Sequence, residues 1–335
     1  MKFLNNIFRI WNLRSLIFSF ILSFLVISCS NISNTKSIKL AHGLDINHPV
    51  HKAMLLLGKE LEKNSDGKLN LEIYPSSQLG SERQCLELLQ IGSLGMTKVS
   101  AAVMENFAPD MKVFGLPFLF KNKAHRFKVL DGEIGKELLD GGTKYWLKGL
   151  GYYDAGSRSF YTKGKQINSP EDLTGMKIRV MESATAMTMV KKLGGSPTPI
   201  SSGELYTALQ QGVVDGAENN PPTFYLSGQY EVCKYYSLDE HTAIPDVLII
   251  GTSLWNTLSE QEQQWLQKAV DASVVYQRKL WEQSENEALE AVKKAGVEVV
   301  TPDKSKFTEK VKTMFDDYKD DKKVYQLIQK IQAIQ

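Results

Sequence analysis

The sequence predicts an α/β protein whose two lobes are joined by one long helix. Three features of its 335 residues support this prediction: strand-like and helix-like segments alternate, a short motif recurs, and one long segment lacks glycine and proline. Alternation of strands and helices is typical of α/β proteins with mainly parallel sheets. Hydrophobic residues make up 42% of the chain and charged residues 23%, which excludes disordered, collagen-like and rod-like proteins.

The first 28 residues have the pattern of a secretory signal peptide. Three cations, Lys2, Arg9 and Arg14, precede an apolar run at residues 16–27. This run is shorter than the roughly 20 residues that cross a bilayer. Removing the three cations changes the formal net charge from +2 to −1, so we expect no attraction to nucleic acid or anionic lipid.

The apolar run ends in Val-Ile-Ser-Cys, which resembles a bacterial lipobox. We therefore predict residues 1–28 to be a lipoprotein signal peptide and Cys29 to be the lipidated first residue of the mature chain. This places the protein at the periplasmic face of the cell envelope. The alternative is an ordinary signal peptide with an accidental cysteine. Residues 29–37 are polar without periodicity and predict a flexible tether.

The following elements are predicted from their hydrophobic periodicity. Alternating apolar residues indicate strands, and apolar residues three or four positions apart indicate helices. The predicted order is strand 37–41, helix 50–63, strand 68–74 and helix 81–91, which Gly92 ends. Of the cysteines, only Cys85 and Cys233 follow the tether, and both lie in apolar helical patterns. We expect buried free thiols, the alternative being one disulfide between them.

A short internal repeat predicts duplicated architecture. The residues Leu-Gln-Ile-Gly at 89–92 recur as Leu-Gln-Gln-Gly at 209–212. In each case a glycine closes a helix before a segment with strand character, as is common at helix C-termini. The repeat therefore favours two lobes of related construction.

Residues 259–295 contain neither glycine nor proline and keep a helical spacing of apolar side chains. Ser259 is a candidate N-cap, with acidic residues in the first turn. A continuous helix of this length spans about 55 Å, which exceeds one small lobe. We expect a single strut that crosses both lobes. The alternative is two consecutive helices with a kink.

The motifs of common enzymes and cofactor sites are absent from the sequence. It lacks Gly-x-Ser-x-Gly, His-Glu-x-x-His, Cys-x-x-Cys and a phosphate-binding glycine loop, so we predict no cofactor. His42, His48 and His51 lie near Asp45, but their spacing matches no known metal-ligand set, and we predict no metal. We place them at the end of the first strand, where open α/β sheets bind ligands.

Two arginines in strand-like segments are candidate anion-binding residues. Arg179 lies between Ile178 and Val180, and Arg158 lies in an aromatic segment. A buried guanidinium needs an anion, which is either an internal carboxylate or a carboxylate of the substrate. In the second case the two carboxylate oxygens match the fork geometry of arginine, which lysine lacks. Asn219, in a segment with glycine and two prolines, offers a donor and an acceptor.

Several motifs together resemble the solute-binding proteins of tripartite ATP-independent periplasmic (TRAP) transporters. The resemblance covers residues 38–329 and is carried by the motifs at 74–80, 169–180, 195–199 and 215–219. It implies a two-lobed periplasmic-binding-protein-like fold with hinge closure, an organic-acid ligand and a sodium-driven membrane permease as partner. On this basis we assign residues 38–156 and 246–284 to lobe I, and residues 157–245 and 285–335 to lobe II. We expect a monomer.

The resemblance also implies roles for individual residues. Arg179 matches the principal carboxylate-binding arginine of the family, Arg158 a second cleft arginine, Asn219 a cleft asparagine and Glu82 an acidic residue that faces the ligand. His42, at the end of the first strand, and His241 complete the predicted ligand-binding set.

The nature of the ligand is also predicted from the resemblance. Ser100 stands where sialate receptors carry an acidic residue, whereas residues 219–222 and 240–241 are more similar to receptors for glucuronate or galacturonate. A sugar-acid lyase or isomerase with Glu82 or His42 as base is one alternative, and a sensory ligand-binding module is another. A general base and a general acid near the ligand, with pKa values shifted toward the working pH, would distinguish an enzyme from a receptor.

Overall fold

The strands of this protein form two sheets, one in each lobe. The structure, a computed structural model, describes residues 35–335. The strands in this range are β1 (Lys36–Ala41), β2 (Leu69–Tyr74), β3 (Met96–Ser100), β4 (Leu147–Tyr153), β5 (Arg158–Thr162), β6 (Lys177–Val180), β7 (Ser196–Pro199), β8 (Gly216–Asn219), β9 (Tyr235–Thr242), β10 (Asp246–Gly251) and β11 (Glu298–Val300).

Helices connect the strands and cover the sheets. In chain order they are α1 (Pro49–Asn64), α2 (Glu82–Gln90), α3 (Ala101–Met104), α4 (Lys123–Asp131), α5 (Glu133–Gly141), α6 (Ala184–Lys192), α7 (Leu205–Gln210), α8 (Pro221–Leu226), α9 (Gln229–Val232), α10 (Thr252–Trp255), α11 (Glu260–Lys294), α12 (Lys304–Val311) and α13 (Lys322–Ala333). The predicted early strands and helices agree with β1, α1, β2 and α2 to within one residue at each end.

The order of the strands confirms the prediction of a two-lobed α/β fold. The first lobe is built on the sheet β2-β1-β3-β10-β4, and the second lobe on the sheet β11-β9-β5-β8-β6-β7. The chain enters the second lobe between β4 and β5 and returns to the first between β9 and β10.

The prediction of mainly parallel sheets was wrong, because both sheets are mixed. β10 runs antiparallel to β3 and β4, and β5 runs antiparallel to β8 and β9. β5 and β10 are the strands that follow the two crossings between the lobes. Each of them enters its sheet in the direction opposite to the strands beside it. Other pairs, such as β1 with β3 and β6 with β8, are parallel.

The internal repeat corresponds to two equivalent helix ends. Gly92 ends α2 and Gly212 ends α7, with φ angles of 76° and 74°. The N–H of Gly92 donates to the Leu89 carbonyl at 3.1 Å, and that of Gly212 donates to the Leu209 carbonyl at 3.1 Å. In both cases the next N–H bonds to the carbonyl five residues earlier, which completes a Schellman motif. The strands β3 and β8 follow these ends.

A single continuous helix, α11, accounts for the segment without glycine or proline. The Ser259 side chain accepts from the Glu262 N–H, and the Glu262 carboxylate accepts from the Ser259 N–H, a capping box. The helix packs on α1 and β4 of the first lobe and on α8 of the second. The prediction of one strut that contacts both lobes is thus confirmed.

The last helix lies on the first lobe. α13 packs against α5 and a 3₁₀ helix at Pro109–Gly115, and it buries Val324, Leu327 and Ile331. The Lys112 ammonium lies 3.4 Å from the Asp321 carboxylate beside this contact. The sequence-based assignment placed all of residues 285–335 in lobe II, so the observed packing of α13 differs from it. The C-terminal segment therefore returns to the first lobe after β11 and α12.

Both cysteines of the folded region are free and buried, as expected. The signal peptide, Cys29 and the first part of the tether lie outside the described residues. Within residues 35–335, no helix combines the length and apolar composition that crossing a bilayer requires.

Candidate ligand-binding site

A cavity that opens to solvent lies between the two lobes. The carboxyl ends of β3, β6 and β8 reach it, and α11 contributes one aromatic side chain. Its charged, amide and indole groups are Glu82, Lys98, Arg158, Arg179, Glu182, Asn219, Asn220, Asp246 and Trp281. The site is therefore concave and rich in groups that bind charges and hydroxyls.

Arg179 is a buried cation without a carboxylate partner among the described residues. It lies on β6, between β7 and β8, opposite Ala217 of β8, and is 2% exposed. Its Nε donates to the Ile200 carbonyl at 2.8 Å, while its two terminal nitrogens make no hydrogen bond or ion pair within residues 35–335. Burial lowers the pKa of this guanidinium, in accordance with its missing counter-ion. Its N–H fork remains available to a ligand.

Arg158 has an internal partner, in contrast to Arg179. Its Nε and Nη2 donate to the two carboxylate oxygens of Glu218 at 2.5 and 2.9 Å, and Nη2 also donates to the Glu218 carbonyl. Burial opposes the charge, but the Glu218 carboxylate outweighs it, so the pKa of Arg158 is raised. Nη1 donates to Asn219 Oδ1 at 2.8 Å. Four of the five guanidinium N–H groups are thus used, and one remains for a ligand.

His241 does not line this cavity and instead supports Glu218 from behind. Its Nδ1 lies 2.7 Å from an Asp239 carboxylate oxygen, its Nε2 lies 3.5 Å from Glu218, and its ring stacks on Phe160. Burial opposes protonation, but the two carboxylates outweigh it and raise the pKa of His241 to about 9. The imidazole is fully buried behind Glu218 and is not among the residues that line the cavity.

His42 also lies outside the cavity lining. Its Nε2 is 2.9 Å from Nδ1 of His51, and burial lowers the pKa of His42 to about 3. His48 lines the cavity instead, with its ring 5.7 Å from that of Trp281 and its Nε2 3.4 Å from the Thr223 hydroxyl of the other lobe. The described residues hold no cluster of three or more His, Cys, Asp or Glu side chains suited to a metal ion.

Glu82 lines the cavity as part of a charged cluster on the first lobe. Its carboxylate accepts from Lys98 Nζ at 2.8 Å and from the Ser100 N–H at 3.0 Å. Lys98 Nζ also lies 3.2 Å from Asp246 on β10. Burial opposes the charge of Lys98, but the two carboxylates outweigh it and raise its pKa. We call Glu82, Lys98 and Asp246 the acidic cluster.

Lys98, Asp246, His48 and Trp281 were not predicted as site residues. A signal for Lys98 was present, because it is a cation within the short buried strand 96–100, the same feature that singled out Arg179. The internal repeat carries a second signal, since Lys98 and Glu218 each lie six residues after the glycine of the motif. The four predicted residues Arg179, Arg158, Asn219 and Glu82 all line the cavity, and their contact with a ligand stays a prediction.

Residues 40–321 match the model of the family described as bacterial extracellular solute-binding protein, family 7. The chain belongs to this family. A curated relative, the C4-dicarboxylate-binding periplasmic protein DctP of Rhodobacter capsulatus, is 31% identical to this family 7 protein over 81% of the chain and 82% of the relative.

Solved structures similar to this family 7 protein carry bound sugar acids. A TRAP periplasmic solute-binding protein of Xanthobacter autotrophicus with bound β-D-galacturonate is 40% identical, with a TM-score of 0.86, over 89% of this chain and 100% of that chain. One from Anaerococcus prevotii with bound α/β-D-glucuronate is 36% identical, with a TM-score of 0.87, over 89% and 97%. The prediction of a TRAP-type solute-binding protein is confirmed. Proteins of this family are periplasmic receptors for organic acids, not enzymes.

Proposed function

We propose that this protein captures a sugar acid such as glucuronate or galacturonate and delivers it to a TRAP permease. The observation that carries the proposal is the fork of Arg179, which lines the cavity without a carboxylate partner among the described residues. A buried cation of this kind gains most from a bidentate carboxylate. The uronates bound to the similar structures from Xanthobacter and Anaerococcus support the same ligand class.

The proposed mechanism is a clamp of two lobes. The ligand carboxylate meets Arg179, and the free N–H of Arg158 and the amide nitrogen of Asn219 add donors from the same lobe. Closure brings the hydroxyl groups of the sugar against the acidic cluster of the first lobe. Ligand binding favours closure because these contacts exist only when both lobes reach the ligand. Micromolar affinity requires about 8 kcal/mol, which one bidentate pair and several hydroxyl contacts supply.

The proposal includes binding without turnover. Glu82, one candidate base, accepts hydrogen bonds from Lys98 and Ser100, and His42, the other, does not line the cavity. Neither is paired with an acid across the cavity, as general acid–base catalysis requires. We expect the NMR spectrum of a bound and released uronate to match that of the starting material. Appearance of a new sugar acid would instead establish an enzyme.

We further propose a periplasmic monomer that is anchored through a lipid on Cys29. The lipobox-like sequence supports the anchor, and this residue lies outside the described part of the chain. Labelling of cells with an alkyne fatty acid tests it. The wild-type protein incorporates the label, whereas Cys29→Ala does not; label in the Cys29→Ala protein would contradict the anchor.

Calorimetry of Arg179 variants tests the receptor proposal. We expect Arg179→Ala to lower the affinity for galacturonate or glucuronate by about 100-fold or more, because the ligand carboxylate loses its bidentate partner. Arg179→Lys keeps the charge but not the fork, so its affinity lies between those of wild type and Arg179→Ala. Arg83→Ala is the matched control, because Arg83 is exposed and pairs with Glu87 outside the cavity.

Two outcomes contradict the proposal. Retention of wild-type affinity by a folded Arg179→Ala variant removes this guanidinium from the site. Absence of binding by wild-type protein to every uronate and related sugar acid removes the ligand class. Thermal melting of each variant separates lost binding from lost folding.

A further inference from the structure

The two lobes present different charged groups to the cavity. On the second lobe the Glu218 carboxylate pairs with Arg158, while Arg179 has no carboxylate partner among the described residues. On the first lobe Lys98 faces two carboxylates, those of Glu82 and Asp246, which leaves one negative charge. A ligand that bridges the lobes therefore meets the unpaired guanidinium of Arg179 at one end and the net negative charge of the acidic cluster at the other.

The first lobe has no uncommitted cation for a second ligand carboxylate among the described residues that line the cavity. Lys98 is 3% exposed, and its ammonium is held 2.8 Å from Glu82 and 3.2 Å from Asp246. The remaining basic group of this wall is His48, which is neutral because burial lowers its pKa well below the ordinary value. Glu182, from the second lobe, lines the cavity as well and adds a further negative charge.

Hydroxyl groups fit the acidic cluster better than a carboxylate does. Each ionised carboxylate accepts several hydrogen bonds but donates none, so its free acceptor sites suit the hydroxyls of a sugar. Lys98 uses two of its three N–H groups on Glu82 and Asp246, and the third can donate to a hydroxyl oxygen. A second carboxylate at this end would lie against like charges, which costs binding free energy and serves as selection against that ligand.

We propose that the acidic cluster restricts this receptor to sugar acids with a single carboxylate and excludes sugar diacids and other dicarboxylates. This inference rests on the proposed function and specifies its substrate class. Arg179 selects for one carboxylate, and Glu82 and Asp246 select against a second. The DctP relative from Rhodobacter capsulatus is named for C4-dicarboxylates, so the restriction distinguishes ligand classes within one family.

Calorimetry with galactonate and galactarate tests the proposal most directly. Both are open chains of the same length and stereochemistry, and galactarate differs only in a second carboxylate where galactonate carries a primary hydroxyl. We expect the wild-type protein to bind galactarate about 100-fold more weakly than galactonate, with galacturonate as the reference ligand. Equal affinity for the two acids would overturn the proposal.

Two charge-removing variants assign the selection to the acidic cluster. Glu82→Gln and Asp246→Asn keep the shape of the wall, and we expect each to reduce the galactonate-to-galactarate affinity ratio by about tenfold. The two substitutions are made in separate proteins, so a folding defect in one leaves the other as the test. Glu290→Gln is the control, since Glu290 is exposed and pairs with Lys293 on α11 away from the cavity. An unchanged ratio in a folded cluster variant would overturn the assignment.

The outcomes separate this inference from the proposed function. If galacturonate binds in an Arg179-dependent manner but galactonate and galactarate bind equally, the receptor proposal stands and the exclusion of diacids fails. If no sugar acid binds to the wild-type protein, the receptor proposal itself fails.

Discussion

At the scale of single residues, the partners of a buried charge determine what it does. Arg158 and Arg179 both lie in buried strands and look equivalent in the sequence. The structure separates them, because Glu218 neutralises Arg158 while the terminal nitrogens of Arg179 have no partner within residues 35–335. Arg158 thus fixes the position of Asn219. Arg179 is the residue whose missing counter-ion a ligand carboxylate supplies.

Removal of the Glu218 charge tests the structural role of Arg158. Glu218→Gln removes the negative charge that lies beside two buried cations, Arg158 and His241. We expect the free energy of unfolding to fall by about 3 kcal/mol or more, as when one partner of a buried ion pair is removed. Urea denaturation measures the change. Glu290→Gln, on an exposed pair with Lys293, is the control and changes stability by less than about 0.5 kcal/mol.

A small effect of Glu218→Gln would contradict the assignment. A loss within about 0.5 kcal/mol of the Glu290→Gln control would mean that Arg158 does not depend on this carboxylate for its charge.

Protonation of His241 makes stability depend on pH. Its pKa in the folded protein is about 9, above the ordinary 6.5, so the folded state binds the proton more tightly than the unfolded state. The resulting stability is fully present below pH 6.5 and is lost as the pH rises through 9. The difference between these two pKa values corresponds to about 3 kcal/mol of stability.

Unfolding measured in urea between pH 6 and 9.5 checks this prediction. The free energy of unfolding of the wild-type protein falls across this window, whereas that of His241→Gln does not show the same fall. A wild-type profile as flat as that of the variant would show that His241 is neutral in the fold.

Most residues of the site could be predicted at this scale, but the ion pairs between them could not. Arg179 was recognisable from its local sequence and Glu82 from the family resemblance, and both line the cavity. The pairing of Lys98 with Asp246 joins residues on antiparallel strands that are separated in the sequence by the second lobe. Neither His42 nor His241 lines the cavity, and the sequence did not indicate this because their burial depends on contacts with distant residues.

At the scale of elements, the repeated helix ends show how local sequence specifies structure. Gly92 and Gly212 take up positive φ angles that residues with a Cβ adopt only at a cost. Each turns the chain from a helix into a strand that leads to the cavity, β3 or β8. The equivalent positions on these strands carry opposite charges, Lys98 and Glu218, so the duplicated architecture presents different chemistry from each lobe.

Glycine substitutions test the requirement for a positive φ angle at these ends. At Gly212 an added Cβ meets only Lys163 Nζ at 3.8 Å, so the cost of Gly212→Ala comes from its φ of +74° alone. We expect a loss of about 1 kcal/mol in the free energy of unfolding. Gly141, at the end of α5, also has open space but no positive φ. Gly141→Ala is the matched control, and it leaves stability unchanged or raises it by up to about 1 kcal/mol.

Equal effects of the two substitutions would contradict the backbone argument. Chemical denaturation of both variants against wild type gives the comparison directly.

The elements were predictable where the signal is local. Periodicity located β1, α1, β2 and α2, and the absence of glycine and proline predicted the continuous α11. Strand direction was not predictable in this way, because β5 and β10 run antiparallel to neighbours that are distant in the sequence. The packing of α13 on the first lobe depends likewise on contacts with α5, far upstream.

At the scale of the whole molecule, direct hydrogen bonds join the two lobes around the cavity. The Asn106 amide of the first lobe donates to the Glu182 carbonyl of the second at 2.6 Å. The Thr185 N–H of the second lobe donates to the Glu105 carboxylate of the first at 3.1 Å. These contacts lie beside the cavity and connect segments of different lobes.

The Asn106 bridge therefore gives a test of closure that leaves the cavity lining unchanged. Asn106→Ala removes the bond to Glu182, and a hydrogen bond of this kind contributes about 1 kcal/mol. If the bond forms only when the lobes close, the variant binds galacturonate about fivefold more weakly, chiefly through faster dissociation. Calorimetry gives the affinity and stopped-flow fluorescence the dissociation rate.

Asn286→Ala is the matched control, since its amide donates to the Glu282 carbonyl within α11 and does not connect the two lobes. Equal affinities of the two variants would mean that the bridge persists without ligand, so that closure precedes binding and the clamp mechanism does not apply.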